Sequence, residues 1–479
     1  MRRVLLVALL AAAPTRSFAQ QARVFVETAA VAGTDGVAVP LWLQAHRDGA
    51  VAARGTSAYA HAGVTLPARA LGPFRVDAGA RLTAQAAGKA GVYVTELYGR
   101  AVIGGVGLRV GRFAETRGLP GTDDDARLAT GSFTLSRNAV PVTRVVLASD
   151  GFLAVPGTGR WVEVAGAFGH GWMEPDRYVR SPYLHEAAAY VRAGGQSAVR
   201  VHAGLHHSAL WAGTHPVEGR LPQSFKDYLR VVAGRRGGDD APMSERGGRL
   251  GAHLGFWDFG AGYERGGVRA RVYRHVTFDD PFGFTFGTLQ DGVLGVALRR
   301  ADAGAPLAAL VYEHVYTKRQ ADRRTPETLG QVSNYYNNYL YASGYTHEGR
   351  TMGNPLLFLP DEDHNPPATL TANASNRLVA HHVGVEGALG AVRYRTLVTY
   401  SRNYGNYADE FTARRAGIGY RFDGGPRQVS GLVEVDAAVP GGRGVRLRVG
   451  VGVERVAARP SALGVGVGLR WEGAARPAR

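Results

Sequence analysis

Between Asn334 and Leu356 the chain reads NYYNNYLYASGYTHEGRTMGNPL. Tyr335, Tyr336, Tyr339, Tyr341 and Tyr345 are interleaved with Asn334, Asn337 and Asn338, and His347, Arg350 and Asn354 follow. A sugar presents hydroxyls that need donors and acceptors, together with an apolar C–H face. The matching surface pairs Asn, Arg and acidic groups with flat aromatic rings. The tract supplies that mixture over a short span, so Tyr335, Tyr336, Asn337, Asn338, Tyr345, His347, Arg350 and Asn354 are candidate carbohydrate-binding residues. The same composition also suits an interfacial tyrosine girdle in which Asn337, Asn338, Gly344, Gly349 and Gly353 build turns. Residue types alone leave both open.

Other stretches invite the same question. Arg137 and Asn138 can pair with acids to brace a wall or hydrogen-bond a glycan, and the brace is the preferred reading. Trp211 offers a ring for a sugar face. His202, His206, His207 and His215 bring metal ligation to mind; on a strand, however, His202 and His206 share one face while adjacent histidines do not, and no acid lies at matching short range, so no metal is expected. Asp279 and Asp280, and the run Asp361, Glu362 and Asp363, lack the glycine-punctuated spacing of a calcium loop and read as solvated loop charge. Ser208 adjoins His207, yet neighbouring strand residues point to opposite faces, which rules that pair out as a hydrolytic dyad. Neither catalytic residues nor a cofactor are expected.

The elements that must position these residues are strands. Met1-Arg2-Arg3, the apolar run Val4 to Ala13 and the Ser17-Phe18-Ala19 site read as a signal peptide over residues 1–19. Beyond it no apolar stretch is long enough for a membrane helix. There is no cysteine, so disulfides and thiolate metal sites are excluded. The net charge is +16; without Arg2, Arg3 and Arg16, 53 basic residues face 40 acidic ones, and only three of them are lysines. Guanidinium forks suit anionic sugars, lipid phosphates and carboxylates. For an exported chain nucleic acid is a poor partner.

Phe74 to Gln85 sets Phe74, Val76, Ala78, Ala80, Leu82 and Ala84 against Arg75, Asp77, Gly79, Arg81, Thr83 and Gln85. A period of two puts these sets on opposite faces of a strand. Val445 to Glu454 and Leu463 to Trp471 repeat the pattern, with Val and Leu opposed by Gly, Arg and Glu. Each is about ten residues long, as a tilted membrane strand requires. A face of Gly, Arg and acids fits a polar barrel interior better than a soluble sandwich core. Roughly 450 mature residues at about 50 for each strand pair give roughly 16 to 20 strands. The expected fold is therefore an all-β, antiparallel transmembrane β-barrel over residues 20–471, with strand-like sequence beginning near Val37 to Gln44 and a short periplasmic tail at 472–479.

Nine segments in order carry a resemblance to a family: LSRNAVPV (135–142), VAGAFGHGWME (164–174), AGLHHSALWAG (203–213), LPQSFKDYLRVVAG (221–234), YRHVTFDDPFGF (273–284), LQDGVLGVAL (289–298), HEGRTMGNPL (347–356), NRLVAHHVGVEG (376–387) and YSRNYGNY (400–407). Together they resemble the Wzi family of outer-membrane capsule-assembly proteins. The resemblance implies an eighteen-stranded barrel, exported to the outer membrane of a diderm bacterium, that acts as a surface lectin for capsular or exopolysaccharide. Its further partners would be outer-membrane lipids and the barrel insertion machinery, and it would act as a monomer. A porin-like channel for small solutes or sugars is the alternative. Enterobacterial members carry a helical segment between signal and barrel that is not seen in this sequence.

Overall fold

The computed structural model describes residues 22–34, 38–86, 90–320, 333–357, 375–420, 422–457 and 460–474. The expected signal segment, the run Asp361 to Asp363 and the last five residues lie outside them. Nineteen strands form the main sheet; one, Leu153–Ala154, is a spur beside Val162–Trp172, and the other eighteen close on themselves. The first, Arg23–Gly33, pairs on one side with Ser57–Leu71 and on the other with the last, Ala462–Ala474, so Arg23 opposes Ala474. Every ladder is antiparallel between chain neighbours, and closure leaves no edge whose N–H and C=O groups would face lipid unpaired.

Two boundaries differ from the sequence expectation. The first strand starts at Arg23, ahead of the expected 37–44 region, and Leu41–Gln44 is a helical turn inside the barrel. Its residues are apolar enough to read as strand, but they pack inward: Leu41, Trp42 and Leu43 are all buried. The last strand continues past Trp471 through Glu472, Gly473 and Ala474, pairing with Val24 and its neighbours.

Alternation sets the facing. Leu447, Val451, Val453, Leu463, Val465, Val467 and Leu469 are outward and exposed, while Arg446, Arg448 and Glu454 engage partners within the lumen. The inward glycines serve a further purpose: a Cβ at Gly452 or Gly464 would come within 2.7 Å of the Leu43 side chain, so the in-lumen turn docks where the wall lacks side chains. Outward aromatics fall into two belts, Trp471 and Tyr263 toward one end and Trp172 and Tyr400 toward the other.

The two ends are unequal. At the end that holds Arg23 and Ala474, strands join through short turns such as 72–73, 104–105, 266–267 and 390–391. At the opposite end the connections 34–56, 113–142, 212–251, 317–377 and 404–426 are long. Outer-membrane barrels keep short turns in the periplasm and long loops outside, which assigns the long-loop end to the cell surface.

Placing an arginine on the lipid face, as in Val451→Arg, costs about 2–4 kcal/mol near the midplane, whereas Arg448→Gln keeps a lumen residue polar. The heat-modifiable fraction of protein in outer-membrane preparations should fall sharply for Val451→Arg and stay near parental for Arg448→Gln; equal losses would contradict the facing.

Candidate carbohydrate-binding site

The aromatic tract folds back into the barrel. Tyr335, Tyr336, Tyr341 and Tyr345 are nearly inaccessible and join Leu128, Phe133, Leu135, Met352 and Leu357 in one hydrophobic cluster with inward wall residues such as Phe256, Tyr273 and Leu397. A polar lumen wall can hold such a core only if every hydroxyl finds a partner. Tyr335 donates to Asp291 Oδ2 (3.0 Å) and Tyr336 to the Phe133 carbonyl (2.6 Å), while the Asn354 N–H donates to the Tyr336 hydroxyl (2.8 Å). Tyr345 shares a hydrogen bond with Ser208 (2.7 Å), and its ring stacks on Tyr336 at 5.7 Å.

Local sequence dictates the path. Glu348 and Gly349 both take positive φ, 51° and 76°, and turn the short Thr346–His347 and Arg350–Thr351 ribbon as a two-residue hairpin. Gly353 follows because a Cβ there would lie 2.1 Å from the Tyr336 hydroxyl and 2.4 Å from the Phe133 carbonyl.

The other candidates are also tied into the plug. His347 Nδ1 meets the Val140 carbonyl at 2.8 Å, Arg350 bonds Gln44 Oε1 (2.9 Å) and the Val51 carbonyl, and Asn354 donates to Thr130 Oγ1 (2.8 Å). Asn138 donates to the Thr351 carbonyl at 3.1 Å. Arg137 forms the expected kind of brace, a two-pronged pair with Asp48, yet its side chain remains 45% exposed. Trp211 is buried, stacked on Tyr228 at 5.2 Å under the helix Phe225–Val232. On the neighbouring strand, Asp258 comes within 3.1 Å of His202 and 3.5 Å of His275, an acid the spacing along the chain did not disclose; Tyr190 bridges Asp258 and His206. His207 points the other way, to His253 at 2.8 Å, and Ser208 bonds Tyr345 and the His185 carbonyl instead.

What the tract leaves accessible is its surface edge. At the long-loop end a cleft of about 630 Å³ lies between the 212–251 loop, the 279–291 loop and the turn holding Asn337, Asn338 and Tyr339. Tyr339 is half exposed. Asn338 Oδ1 accepts from the N–H groups of Leu340 (2.9 Å) and Tyr341 (3.0 Å), which fixes the side chain and leaves its amide nitrogen without a protein acceptor among the described residues. Exposed Arg235 and Arg236, with partly buried Arg249, line the facing side.

Asp279 and Asp280 are not the solvated loop charge expected of them. Both are partly buried: Asp279 accepts from the Asn334 N–H (2.7 Å), and Asp280 caps the turn Pro281–Phe284 by accepting from the Gly283 N–H (2.6 Å). Burial first, and the Asp280 charge second, push the Asp279 carboxyl upward. Across the cleft Glu245 is raised to about 7, chiefly by burial; its Oε1 accepts from the Gly251 N–H at 2.7 Å and its Oε2 has no partner among the described residues. Arg235, Arg236, Arg249 and Glu245 were missed by sequence reasoning. They sit in a polar loop with no aromatic residue beside them to attract notice.

The family described as Capsule assembly protein Wzi matches residues 44–356. No curated protein matches the sequence. Among solved structures, the barrel is similar to Wzi of Escherichia coli, described as a carbohydrate-binding outer-membrane β-barrel involved in group 1 capsule assembly, with TM-score 0.57 and 13% identity over 93% of this chain and 83% of that one. It is also similar to OccK5 and OpdO of Pseudomonas aeruginosa, each with TM-score 0.48 and with 9% and 10% identity over 95% of this chain and 98% of theirs.

The raised Glu245 carboxyl couples loop order to pH. Its folded value near 7 exceeds the ordinary 4.5, so its contribution to holding the 212–251 loop is full below about pH 4.5 and is lost as pH rises through 7. Hydrogen exchange in residues 243–251 should accelerate across that window, and Glu245→Gln should flatten the dependence; an unchanged pH profile in the variant would sink the assignment.

Proposed function

The chain belongs to the Wzi family of capsule assembly proteins, and from that premise we propose that it binds capsular or exopolysaccharide and helps attach or organise it at the cell surface. The carrying observation is the cleft at the long-loop end. It sets the Asn338 amide, the Tyr339 ring and the guanidinium groups of Arg235 and Arg236 around one concavity on the outer side. That combination gives donors and acceptors for sugar hydroxyls, a flat face for their C–H groups, and fixed positive forks for any acidic substituent. Of the candidate residues, Asn338 reaches the glycan, whereas Asn337 is buried with its amide donating to Asn334 Oδ1 at 3.0 Å. Tyr335, Tyr336, Tyr345, His347, Arg350, Asn354 and Asn138 hold the plug, Trp211 packs in a separate cluster under the Phe225–Val232 helix, and Arg137 belongs to the opposite side of the plug. The barrel works as a monomer among outer-membrane lipids, after delivery by the insertion machinery, and binds without catalysing a reaction. A filled lumen favours this over an open channel, because the described in-lumen segments meet the wall in one packed cluster.

Each sugar contact is worth on the order of 1 kcal/mol net, so retention of a polymer rests on several acting together. Asn338→Ala or Tyr339→Ala alone should weaken surface retention only partly. The triple variant with Arg236→Ala should shed polymer to the medium while the barrel stays heat-modifiable and normal in amount. Full retention by an assembled triple variant would place the glycan surface elsewhere. Tyr336→Ala should act differently, reducing assembly itself by an amount on the order of 3–5 kcal/mol of plug stability.

A further inference from the structure

Behind the plug, at the short-turn end, lies a second and larger space of about 870 Å³. Its rim includes Gly444, Glu472 and Arg393, all beside short turns or the terminal strand, and its floor includes His46, Asp48 and Arg137 from the in-lumen segments. Eleven arginines and eight carboxylates line it. The carboxylates are stretched across too many cations. Glu434 serves Arg47 at 2.5 Å, Arg395 at 3.3 Å and Arg448 at 3.7 Å; Glu27 is shared by Arg470 (2.9 Å) and Arg448 (3.6 Å), and Asp48 by Arg81 and Arg137.

Donors are left over. Among the described residues the Nε groups of Arg109 and Arg395 are buried without an acceptor, and that of Arg448 forms no hydrogen bond, only long ion pairs to Glu434 (3.7 Å) and Asp436 (3.6 Å). Arg109 lies over the rings of Tyr98 and Phe113, at 3.9 and 4.1 Å, and forms no ion pair among the described residues. Arg127 and Arg393 are exposed at this space with no side-chain partner among the described residues, and Arg395 bonds the Arg127 carbonyl at 3.3 Å, so a further cation sits beside one that already shares its carboxylate. Unpaired buried donors are costly, and an excess of fixed guanidinium groups in a recess focuses a positive field on whatever enters it. A planar, two-oxygen anion completes such forks, and the volume falls within the roughly 300–1,000 Å³ typical of ligand sites, far more than one small ion fills.

We propose that this periplasm-facing chamber is a second binding site, for a segment of an acidic polysaccharide whose carboxylates bridge Arg395, Arg448 and the exposed Arg127 and Arg393. The proposal rests on polysaccharide being the partner, but concerns a different face of the protein from the surface cleft and names the charge class of the polymer.

The test is calorimetric titration of the full-length, detergent-solubilised protein with tetragalacturonate, with maltotetraose as the neutral control. Tetragalacturonate should bind, maltotetraose should not, and added salt should weaken the affinity. Arg127→Gln/Arg393→Gln leaves no carboxylate without its cation and should raise Kd roughly three-fold or more. Arg395→Gln/Arg448→Gln, in which Arg47 still holds Glu434, should raise it roughly ten-fold or more, as expected for lost charge-assisted hydrogen bonds. Heat-modifiability confirms that each variant is folded. Unchanged affinity in both pairs overturns the proposal, as does loss of binding in the Asn338→Ala/Tyr339→Ala/Arg236→Ala protein alone, which would move the acidic ligand to the surface cleft and leave the surface function standing. Complete displacement by equimolar inorganic phosphate would also overturn it, by showing a small-anion site.

Discussion

An eighteen-stranded cylinder is wider than its own wall side chains can fill, and that single constraint governs the rest of the molecule. Either water occupies the middle or the chain folds back into it. This chain folds back, and because the wall it meets is polar, the filling is fastened by hydrogen bonds as much as by apolar contact. Glu454 on the wall accepts from the Leu41 N–H at 2.8 Å, Trp42 donates to Thr399 at 3.0 Å, and Glu313 accepts from both the Thr130 N–H and the Tyr273 hydroxyl at 2.6 Å. Tyrosine suits such a setting better than phenylalanine, since its ring fills volume and its hydroxyl satisfies a wall or plug group that would otherwise be buried unpaired. The abundance of Tyr in the 334–356 tract is thus first a consequence of lining a plug inside a polar tube.

The plug also divides the interior into two chemically distinct rooms. Toward the long loops the space is bordered by amides, an exposed tyrosine, arginines and carboxyls raised by burial. Toward the short turns it is dominated by guanidinium groups that outnumber their partners. Segments 38–56 and 113–142 contribute to the partition, and the pair formed by Asp48 with Arg81 and Arg137 stitches both segments to the strand Phe74–Gln85.

The fold was legible where lipid imposes a rule. Leu447, Val451, Val453 and Leu463 to Leu469 must be apolar on every second position because that face meets hydrocarbon, and their register survives in the structure without exception. The strand count came from the family resemblance, since length bounds it only loosely. Inside the barrel the rule vanishes. A loop that returns to the lumen carries the same Asn, Gly and Tyr as one that waves outside, so nothing in NYYNNYLY says which it does. Leu41 to Gln44 was misjudged for a related reason: three apolar residues and a glutamine do not distinguish a wall strand from a buried helical turn. Asp279 and Asp280 were read as solvated loop charge because their partners, the Asn334 and Gly283 N–H groups, are backbone atoms with no sequence signature.

Plugging has a further consequence for how a polymer can be handled. With Tyr336, Tyr345, Phe133 and Met352 packed at the centre, a glycan held at the surface has no straight path through the barrel, and retention must be a surface affair of many weak contacts. Rigidity then matters more than the strength of any one contact, because a side chain that is already fixed loses little freedom when a sugar meets it. Asn338 illustrates this: its carbonyl oxygen is spent on the Leu340 and Tyr341 N–H groups, which hold the amide in place beside the cleft. In the proposed site the buried tyrosines therefore bear on recognition without touching the ligand, by anchoring the turn from which Asn338 and Tyr339 project.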